Sequence, residues 1–386
     1  MRFRRVCFFL PSANRDGAEL CALECMDALQ ALGMQCHVIA PKKGPLLAEF
    51  EARQISYQII PYKVWIEPPV PVWQRLLVAL WNLAMTYCAV FLVGRRPGDL
   101  IVTNTINICV GALVAGLLGL PHVWYIHEFG HEDHGWRYHL GEKPSLGIMN
   151  RLSALCLAVS KAVAQKYQAR ISPAKMRYLY QPVEVAPSGG LEAIPGKQPF
   201  QLTCVMVGGL QEGKRQEDAV RALVALRDQG VLAQLWLVGG GDRVYTGLLK
   251  NLVRENNLGE QVTFVGPVDN PFPYIKEADV LLLCSRCEAF GRVTVEAMKA
   301  GKPVIGTGCG GTLEIIEDGF NGFLYEPQNH QELAEKIKYL LDHPEEAQKM
   351  GQQAQQWALR TFTPERYREE LAGILEQLAK GLKETV

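Results

Sequence analysis

The chain has 386 residues, forty basic side chains against forty acidic ones, and a hydrophobic content of 48%. That length exceeds one ordinary domain and predicts two. The charge balance excludes a chain built to bind nucleic acid or another polyanion through its overall field. The eleven cysteines are scattered, mostly inside apolar runs, and this odd count predicts thiols in a reducing compartment, hence the cytoplasm.

The first residues, MRFRRVCFFLPSANRDG, hold only a short apolar piece before a Pro-Ser-Ala-Asn turn. They read as a first strand over 6–10 and not as a signal peptide. A helix follows over 18–32, with apolar side chains at Leu20, Leu23, Met26, Ala28 and Leu29 and with Gly33 at its end; a strand at 36–40 comes next. A short helix at 46–53 leads to a strand at 57–60. Residues 76–93 (LLVALWNLAMTYCAVFLV), flanked by Arg75 and by Arg95-Arg96, approach the length of a membrane span. Asn82, Thr86 and Tyr87 interrupt the run and a strand over 100–104 follows at once. The expectation is therefore a buried or surface-docked helix, with contact to lipid headgroups left open. A helix at 108–118, strands at 122–127 and 155–160, a helix at 161–169 and a strand at 176–180 complete this half.

Residues 184–200 (EVAPSGGLEAIPGKQPF) are rich in Pro, Gly and Ala, lack periodicity and read as a linker. The alternation then restarts: strand 202–207, helix 217–229, strand 233–238, helix 244–256, strand 262–265, helix 274–277 and strand 280–284. Thr363-Pro364 opens a last helix whose stripe of Tyr367, Leu371, Ile374, Leu375 and Leu378 needs a surface and is expected to pack back on the first half. The expected fold is α/β, with two doubly wound Rossmann-like domains facing across a cleft. Their expected bounds are 1–185 and 201–363, with a linker at 186–200.

The stretch LLLCSRCEAFGRVTVEAMKAGKPVIG (281–306) reads as strand, tight turn, helix, turn and strand. Glu288 falls in the loop and Glu296 on the following helix, on either side of Phe290-Gly291. Both then face a ligand lying across the helix N-terminus, where backbone N–H groups and the helix dipole favour an anion. Cys284 and Cys287 form a C-x-x-C with no second pair at zinc spacing, so two thiols at a strand end are expected. Gly239-Gly240-Gly241-Asp242 reads as a structural turn, since no Gly-Lys-Ser follows.

These residues carry a resemblance. CEAFGRVTVEAM, followed by GKPVIGTGCGGTLEIIEDGFNGFLY, resembles the retaining glycosyltransferases of family 4, which have the GT-B fold. Asp16-Gly17-Ala18-Glu19, Tyr125-Ile126-His127-Glu128, Ala158-Val159-Ser160, residues 208–214, Val265-Gly266 and Ala278-Asp279-Val280 agree in order and spacing, so the resemblance covers nearly the whole chain. It implies transfer of a sugar from a nucleotide diphosphate sugar to a glycan or lipid-linked acceptor, with an oxocarbenium-like transition state. By resemblance, Glu296 holds the ribose hydroxyls, Glu288 the sugar hydroxyls, and the amides of Phe290 and Gly291 add donors. Lys214 pairs with the diphosphate, Thr312 belongs to the donor-side loop, and Gly17 lets backbone approach the phosphates from the first domain. His127 is expected near the sugar, for positioning or charge stabilisation. The family arginine a few residues before the lysine is Gly209 here, and Arg292, ahead of Arg215, is the candidate for the missing charge.

The loop HEFGHEDHGWRYH is rich in His and acid, but its spacing fits no metal site and it reads as a mobile acceptor loop. No cofactor or metal is expected beyond the nucleotide sugar. Trp65, Trp73, Trp81 and the apolar helix are compatible with a lipid-linked or membrane-proximal acceptor, as in surface-polysaccharide synthesis, and leave peripheral contact with the inner face of the membrane open. The expected activity is that of a retaining hexosyltransferase. A sugar-nucleotide epimerase on the same scaffold and a non-catalytic nucleotide-sugar-binding protein are the competing readings.

Overall fold

A computed structural model of the chain describes residues 3–94, 99–185 and 200–384. These form two compact units, Met1–Pro182 with Pro364–Val386, and Val183–Thr363. The expected linker at 186–200 lies, apart from Phe200, outside the described residues.

In chain order, the first unit contains β1 (Arg5–Phe9), α1 (Gly17–Ala31), β2 (Gln35–Ala40), α2 (Leu46–Ala52), β3 (Ser56–Ile59), β4 (Ile66–Glu67), α3 (Val72–Val93) and β5 (Asp99–Asn104). It continues with α4 (Val110–Leu118), β6 (His122–Ile126), α5 (His131–His134), β7 (Arg137–Tyr138), α6 (Glu142–Leu152), β8 (Leu155–Ala158), α7 (Lys161–Gln168) and β9 (Met176–Tyr178). Seven strands make one parallel sheet in the order β3-β2-β1-β5-β6-β8-β9. Strands such as β5 (DLIVTN) and β6 (HVWYI) are buried along their whole length, as strands covered on both faces by helices must be. The strand order reverses direction at β1 and β5; Asn104 ends β5, and Gly17 opens the helix that follows β1.

The segment expected to be a plain loop after His127 contains α5 and β7, and β7 pairs antiparallel with β4. This is a correction: periodicity cannot reveal a two-residue strand held only by a partner about seventy residues away. Helix α6 is a further departure from expectation, because Gly141, Pro144 and Gly147 punctuate its sequence. Helix α3 begins a turn earlier than expected and docks by one stripe, Val78, Asn82, Thr86, Ala89 and Val93. Ala89 and Val93 belong to a core cluster with Ile101, Val110 and Val114.

The second unit contains β10 (Leu202–Val207), α8 (Gln216–Asp228), β11 (Ala233–Val238), α9 (Arg243–Glu255), β12 (Val262–Gly266), α10 (Phe272–Glu277) and β13 (Val280–Leu283). Then follow α11 (Arg292–Lys299), β14 (Val304–Thr307), α12 (Thr312–Ile315), β15 (Phe323–Tyr325), α13 (His330–Asp342) and α14 (Pro344–Thr361). Its parallel sheet has the order β12-β11-β10-β13-β14-β15. The order reverses at β10 and β13, the place where open α/β sheets bind ligands outside their strand ends. The final helix, α15 (Pro364–Glu384), belongs to the first unit: Tyr367 is fully buried and its hydroxyl lies 3.1 Å from that of Tyr125.

The glycines at 239 and 241 are structural. A Cβ on Gly239 collides with the carbonyl of Gly208, and one on Gly241 with that of Leu210, so the β11–α9 turn lies directly on the β10–α8 turn. Asp242 caps α9, accepting from the N–H groups of Val244 (2.9 Å) and Tyr245 (3.0 Å).

Candidate donor site and acceptor-side cluster

In the second unit, two loops meet at the sheet's switch point. The β10–α8 loop ends in a 3-10 turn, Glu212–Lys214, and the β13–α11 loop carries Glu288. The backbone N–H of Arg286 donates to the Gly213 carbonyl at 2.9 Å and ties the two loops together. Across that tie Lys214 Nζ donates to Glu288 Oε2 at 2.8 Å, and Ser285 Oγ donates to the same oxygen at 2.8 Å. Both partners keep partial access to solvent, with side chains 29% and 17% exposed, so the pair sits at the surface of the site.

Helix α11 starts where expected. Its N-cap, Gly291, has φ 96°, a left-handed backbone that glycine adopts freely. A Cβ there stands 3.3 Å from both Glu288 Cγ and Thr294 Oγ1, so a larger residue both strains the turn and presses on the carboxylate. Phe290 is buried and packs edge-on against Phe362 with ring centres 5.6 Å apart. Its ring is therefore core. Glu296 lies on the second turn of α11, half-buried.

The third wall is the loop after β14. The Glu288 carbonyl accepts from the Gly311 N–H at 2.7 Å, and a Cβ on Gly311 stands 2.9 Å from Phe290 Cα. Cys287 is disulfide-bonded to Cys309, with their Cα atoms 5.2 Å apart, which joins this loop covalently to the residue before Glu288. This corrects the expectation of two thiols at Cys284 and Cys287. Their neighbours on adjacent strand ends decide the pairing: Cys284 stays a buried thiol, pushed up to about 12 by burial. It also removes Cys287 and Cys309 from the thiol count behind the reducing-compartment argument. Thr312 opens α12, and its buried hydroxyl, like that of Thr294, has no protein partner among the described residues. Buried hydroxyls without partners are uncommon and suit a ligand-facing wall.

The two cation candidates separate. Arg215 donates through Nε (2.7 Å) and Nη2 (2.9 Å) to Asp218, whose side chain is fully buried, so its charge is committed to the fold. Arg292 is the first residue of α11, adjoining Gly291. A Cβ added to Gly209 would meet only ordinary van der Waals neighbours, Gln211 Cδ and the Gly240 carbonyl at 3.9 Å.

In the first unit, His127 follows the end of β6. Asn104 Nδ2 donates to the Ala18 carbonyl at 3.1 Å, which leaves its Oδ1 facing His127 Nε2 at 2.8 Å. His127 Nε2 therefore carries the ring proton, and Nδ1 accepts from Gln181 Nε2 at 3.4 Å. Asn104 thus links the α1 start, beside Gly17, to the histidine. Gly17 is the first residue of α1, after the N-cap Asp16.

Two acids missed as site candidates flank this cluster. Glu128 Oε2 accepts from the N–H groups of Ile106 and His127, each at 3.3 Å, and burial with the nearby charge of Asp133 pushes its carboxyl up to about 8. Glu19 accepts from Ser12 Oγ at 2.6 Å, and burial pushes it up to about 7. Both stand inside motifs already singled out, Asp16-Gly17-Ala18-Glu19 and His127-Glu128, but their burial depends on packing that spacing does not reveal.

Within the His-rich segment, Lys166 pairs with Glu132, Asp133 accepts from the Phe129 N–H (2.8 Å), and His139 lies 2.7 Å from Glu67. Among the described residues no group of three or more His, Cys, Asp or Glu is placed to hold a metal ion.

Two parallel, doubly wound domains of this kind, each with its loops gathered at the switch point, define the GT-B class. The profile "Glycosyltransferase Family 4" matches residues 15–186 and "Glycosyl transferases group 1" matches residues 192–357, and the chain belongs to this glycosyltransferase family. It is similar to the N-acetyl-alpha-D-glucosaminyl L-malate synthase of Bacillus anthracis (33% identity, 42% of this chain and 42% of that protein). It is also similar to the putative glycosyltransferase EpsD of Bacillus subtilis (30% identity, 50% of each). The matches thus span half or less of these relatives' lengths. Among solved structures, Anabaena HepE in complex with UDP-glucose has the same fold (TM-score 0.77, 23% identity, 97% of this chain and 99% of that one). So does sucrose-phosphate synthase from Thermosynechococcus elongatus (TM-score 0.77, 20% identity, 98% and 100%).

Proposed function

We propose that the protein is a retaining glycosyltransferase of the hexosyltransferase type that uses a nucleoside-diphosphate sugar, with uridine as the favoured base. The observation that carries this reading is the Lys214–Glu288 pair, held at 2.8 Å between two loops at the β10/β13 switch point. An arriving diphosphate competes for Lys214. As the lysine turns to phosphate, Glu288 keeps Ser285 and is released to accept from sugar hydroxyls. Glu296 accepts from the ribose hydroxyls, and the backbone N–H groups at the start of α11 meet the phosphates together with Arg292. These groups meet the charge that builds on the leaving diphosphate without a metal ion. HepE, a neighbour in fold, was crystallised with UDP and UDP-glucose, which supports the choice of base.

On the first unit, Gly17 opens α1 and His127 has its tautomer set by Asn104; the family resemblance assigns both to substrate handling on that unit. The acceptor is a glycan or a lipid-linked saccharide at the cytoplasmic face of the membrane, in the synthesis of envelope or surface polysaccharide. One relative in part of its length, from Campylobacter jejuni, is named for transfer to a diphospho-undecaprenol-linked acceptor, which supports that class. Gly209, in place of the family arginine, favours one competing reading, a protein that binds nucleotide sugars without turnover. A thermal-shift screen of UDP-sugars, followed by mass spectrometry of products formed from cell-envelope extracts, separates the two. Stabilisation with a glycosylated product supports the transferase; stabilisation without product across acceptor panels supports the binder.

A further inference from the structure

Helix α3 is amphipathic in the wrong direction for a soluble protein. The stripe it turns inward contains Asn82 and Thr86: Asn82 exchanges hydrogen bonds with the Lys63 backbone at 2.8 and 2.9 Å, and Thr86 Oγ1 donates to the Asn82 carbonyl at 2.7 Å. The residues it turns outward are apolar: Phe91 is 84% exposed, Val72 67%, Leu80 65%, Trp73 64% and Leu76 60%. At about 100° per residue, the exposed positions sweep roughly 220° of the helix circumference. From Leu76 to Gly94 the sequence contains no charged residue.

We propose that α3 is a membrane-docking surface, lying in the plane of a lipid bilayer with this sector among the acyl chains. Three features select a bilayer as the occupant. A packed helix or a second copy of α3 covers an apolar stripe of about 100°, and leaves the rest of this sector in water, whereas a fluid acyl layer covers any width. Between Glu67 and Asp99 the sequence has no acidic residue, so this stretch carries no negative charge to repel the anionic headgroups of a cytoplasmic leaflet. At the edge of the sector Lys63 Nζ stands 5.9 Å above the Trp81 ring, whose Nε1 donates to the Pro61 carbonyl at 2.6 Å. A tryptophan with one apolar face, a satisfied N–H and a cation beside it is the residue pattern of a headgroup boundary.

With 22 residues the helix is long enough to cross a bilayer. The Asn82–Lys63 hydrogen bonds and the packing of Ala89 and Val93 in the core hold it lengthwise on the first unit instead, so it lies on the membrane rather than through it. The biological role of this surface, presenting the enzyme to a lipid-linked acceptor, rests on the function proposed above; the docking itself does not.

The test uses the full chain without nucleotide or acceptor. Large vesicles of phosphatidylglycerol and phosphatidylethanolamine are sedimented with wild type and with Leu80→Glu/Phe91→Glu, both sites being exposed enough to leave the fold intact. Circular dichroism and the melting temperature check that fold. Wild type is expected to sediment with the vesicles and the variant to lose at least tenfold in partitioning. Brominated acyl chains are expected to quench wild-type fluorescence more than that of Trp73→Phe. Wild type remaining in the supernatant overturns the proposal. So does a dimer in light scattering that the same substitutions dissociate, which assigns the face to a second copy. Failure of glycosyl transfer with vesicle binding retained counts against the proposed function alone.

Discussion

Replacing Lys214 by methionine keeps its aliphatic length and removes the charge, and the structure separates what that does to stability from what it does to binding. The Lys214–Glu288 pair is partly solvated, at 29% and 17% side-chain exposure, so its loss is expected to cost the fold less than about 1 kcal/mol. Ser285 still donates to Glu288 at 2.8 Å, which keeps the carboxylate from being stranded. Donor binding loses more. A charge-assisted hydrogen bond to phosphate contributes about 2–3 kcal/mol, and in the variant the Glu288 charge faces the diphosphate without the lysine's. The expected loss of UDP affinity by isothermal titration is therefore roughly 30- to 150-fold, with a melting temperature within a few degrees of wild type. Adding Glu288→Gln to Lys214→Met is expected to recover part of the UDP affinity, because it removes the repulsion. An unchanged UDP affinity in Lys214→Met, or a loss matched by an equal loss of stability, refutes the assignment of this pair to the donor.

Arg292→Ala is expected to raise the apparent donor constant about tenfold, read by steady-state kinetics; no change in the constant removes Arg292 as the substitute for the missing arginine. Arg215→Ala is expected to do the reverse, lowering stability by about 3 kcal/mol because it strands the buried Asp218, and denaturant titration reads this. Glu128 has a folded-state value near 8, above the ordinary 4.5, so it binds its proton more tightly in the folded chain. The stability this contributes is present below about pH 4.5 and is lost as pH rises toward 8, at about 1.4 kcal/mol for each tenfold by which folding tightens proton binding. Glu128→Gln is therefore expected to flatten the fall in melting temperature between pH 5 and pH 8, and a fall as steep as that of wild type contradicts it. Breaking the Cys287–Cys309 bond, which closes a span of 22 residues, is expected to destabilise the second unit by about 3 kcal/mol. Equal melting temperatures for wild type under non-reducing conditions and Cys287→Ser speak against it.

Much of the architecture is legible in the sequence because buried parallel strands leave long apolar runs. The bounds of β10 and β11 follow directly from Leu202–Val207 and Ala233–Val238. The start of α11 can be placed because Gly291 closes the polar turn after β13 just before a helical pattern begins. What escapes depends on partners distant in sequence. The pairing of β4 with β7 rests on register across the fold, and Cys287 meets Cys309 because β13 and β14 are neighbours, whereas the sequence offers Cys284 at closer spacing. That Arg215 commits its guanidinium to Asp218 follows from the burial of that acid, which the letters do not show. Glu19 and Glu128 are visible as letters, but their protonation follows from burial alone.

The central claim, retaining transfer from a nucleotide sugar, is tested most directly by the anomeric configuration of the product. An α-linked UDP-sugar identified in the thermal-shift screen is incubated with the protein and envelope acceptor, and the new linkage is read by nuclear magnetic resonance. An α-linked product, abolished in Glu288→Gln with folding intact, is the expected result. A β-linked product, or free sugar and UDP with no glycosylated acceptor, contradicts it.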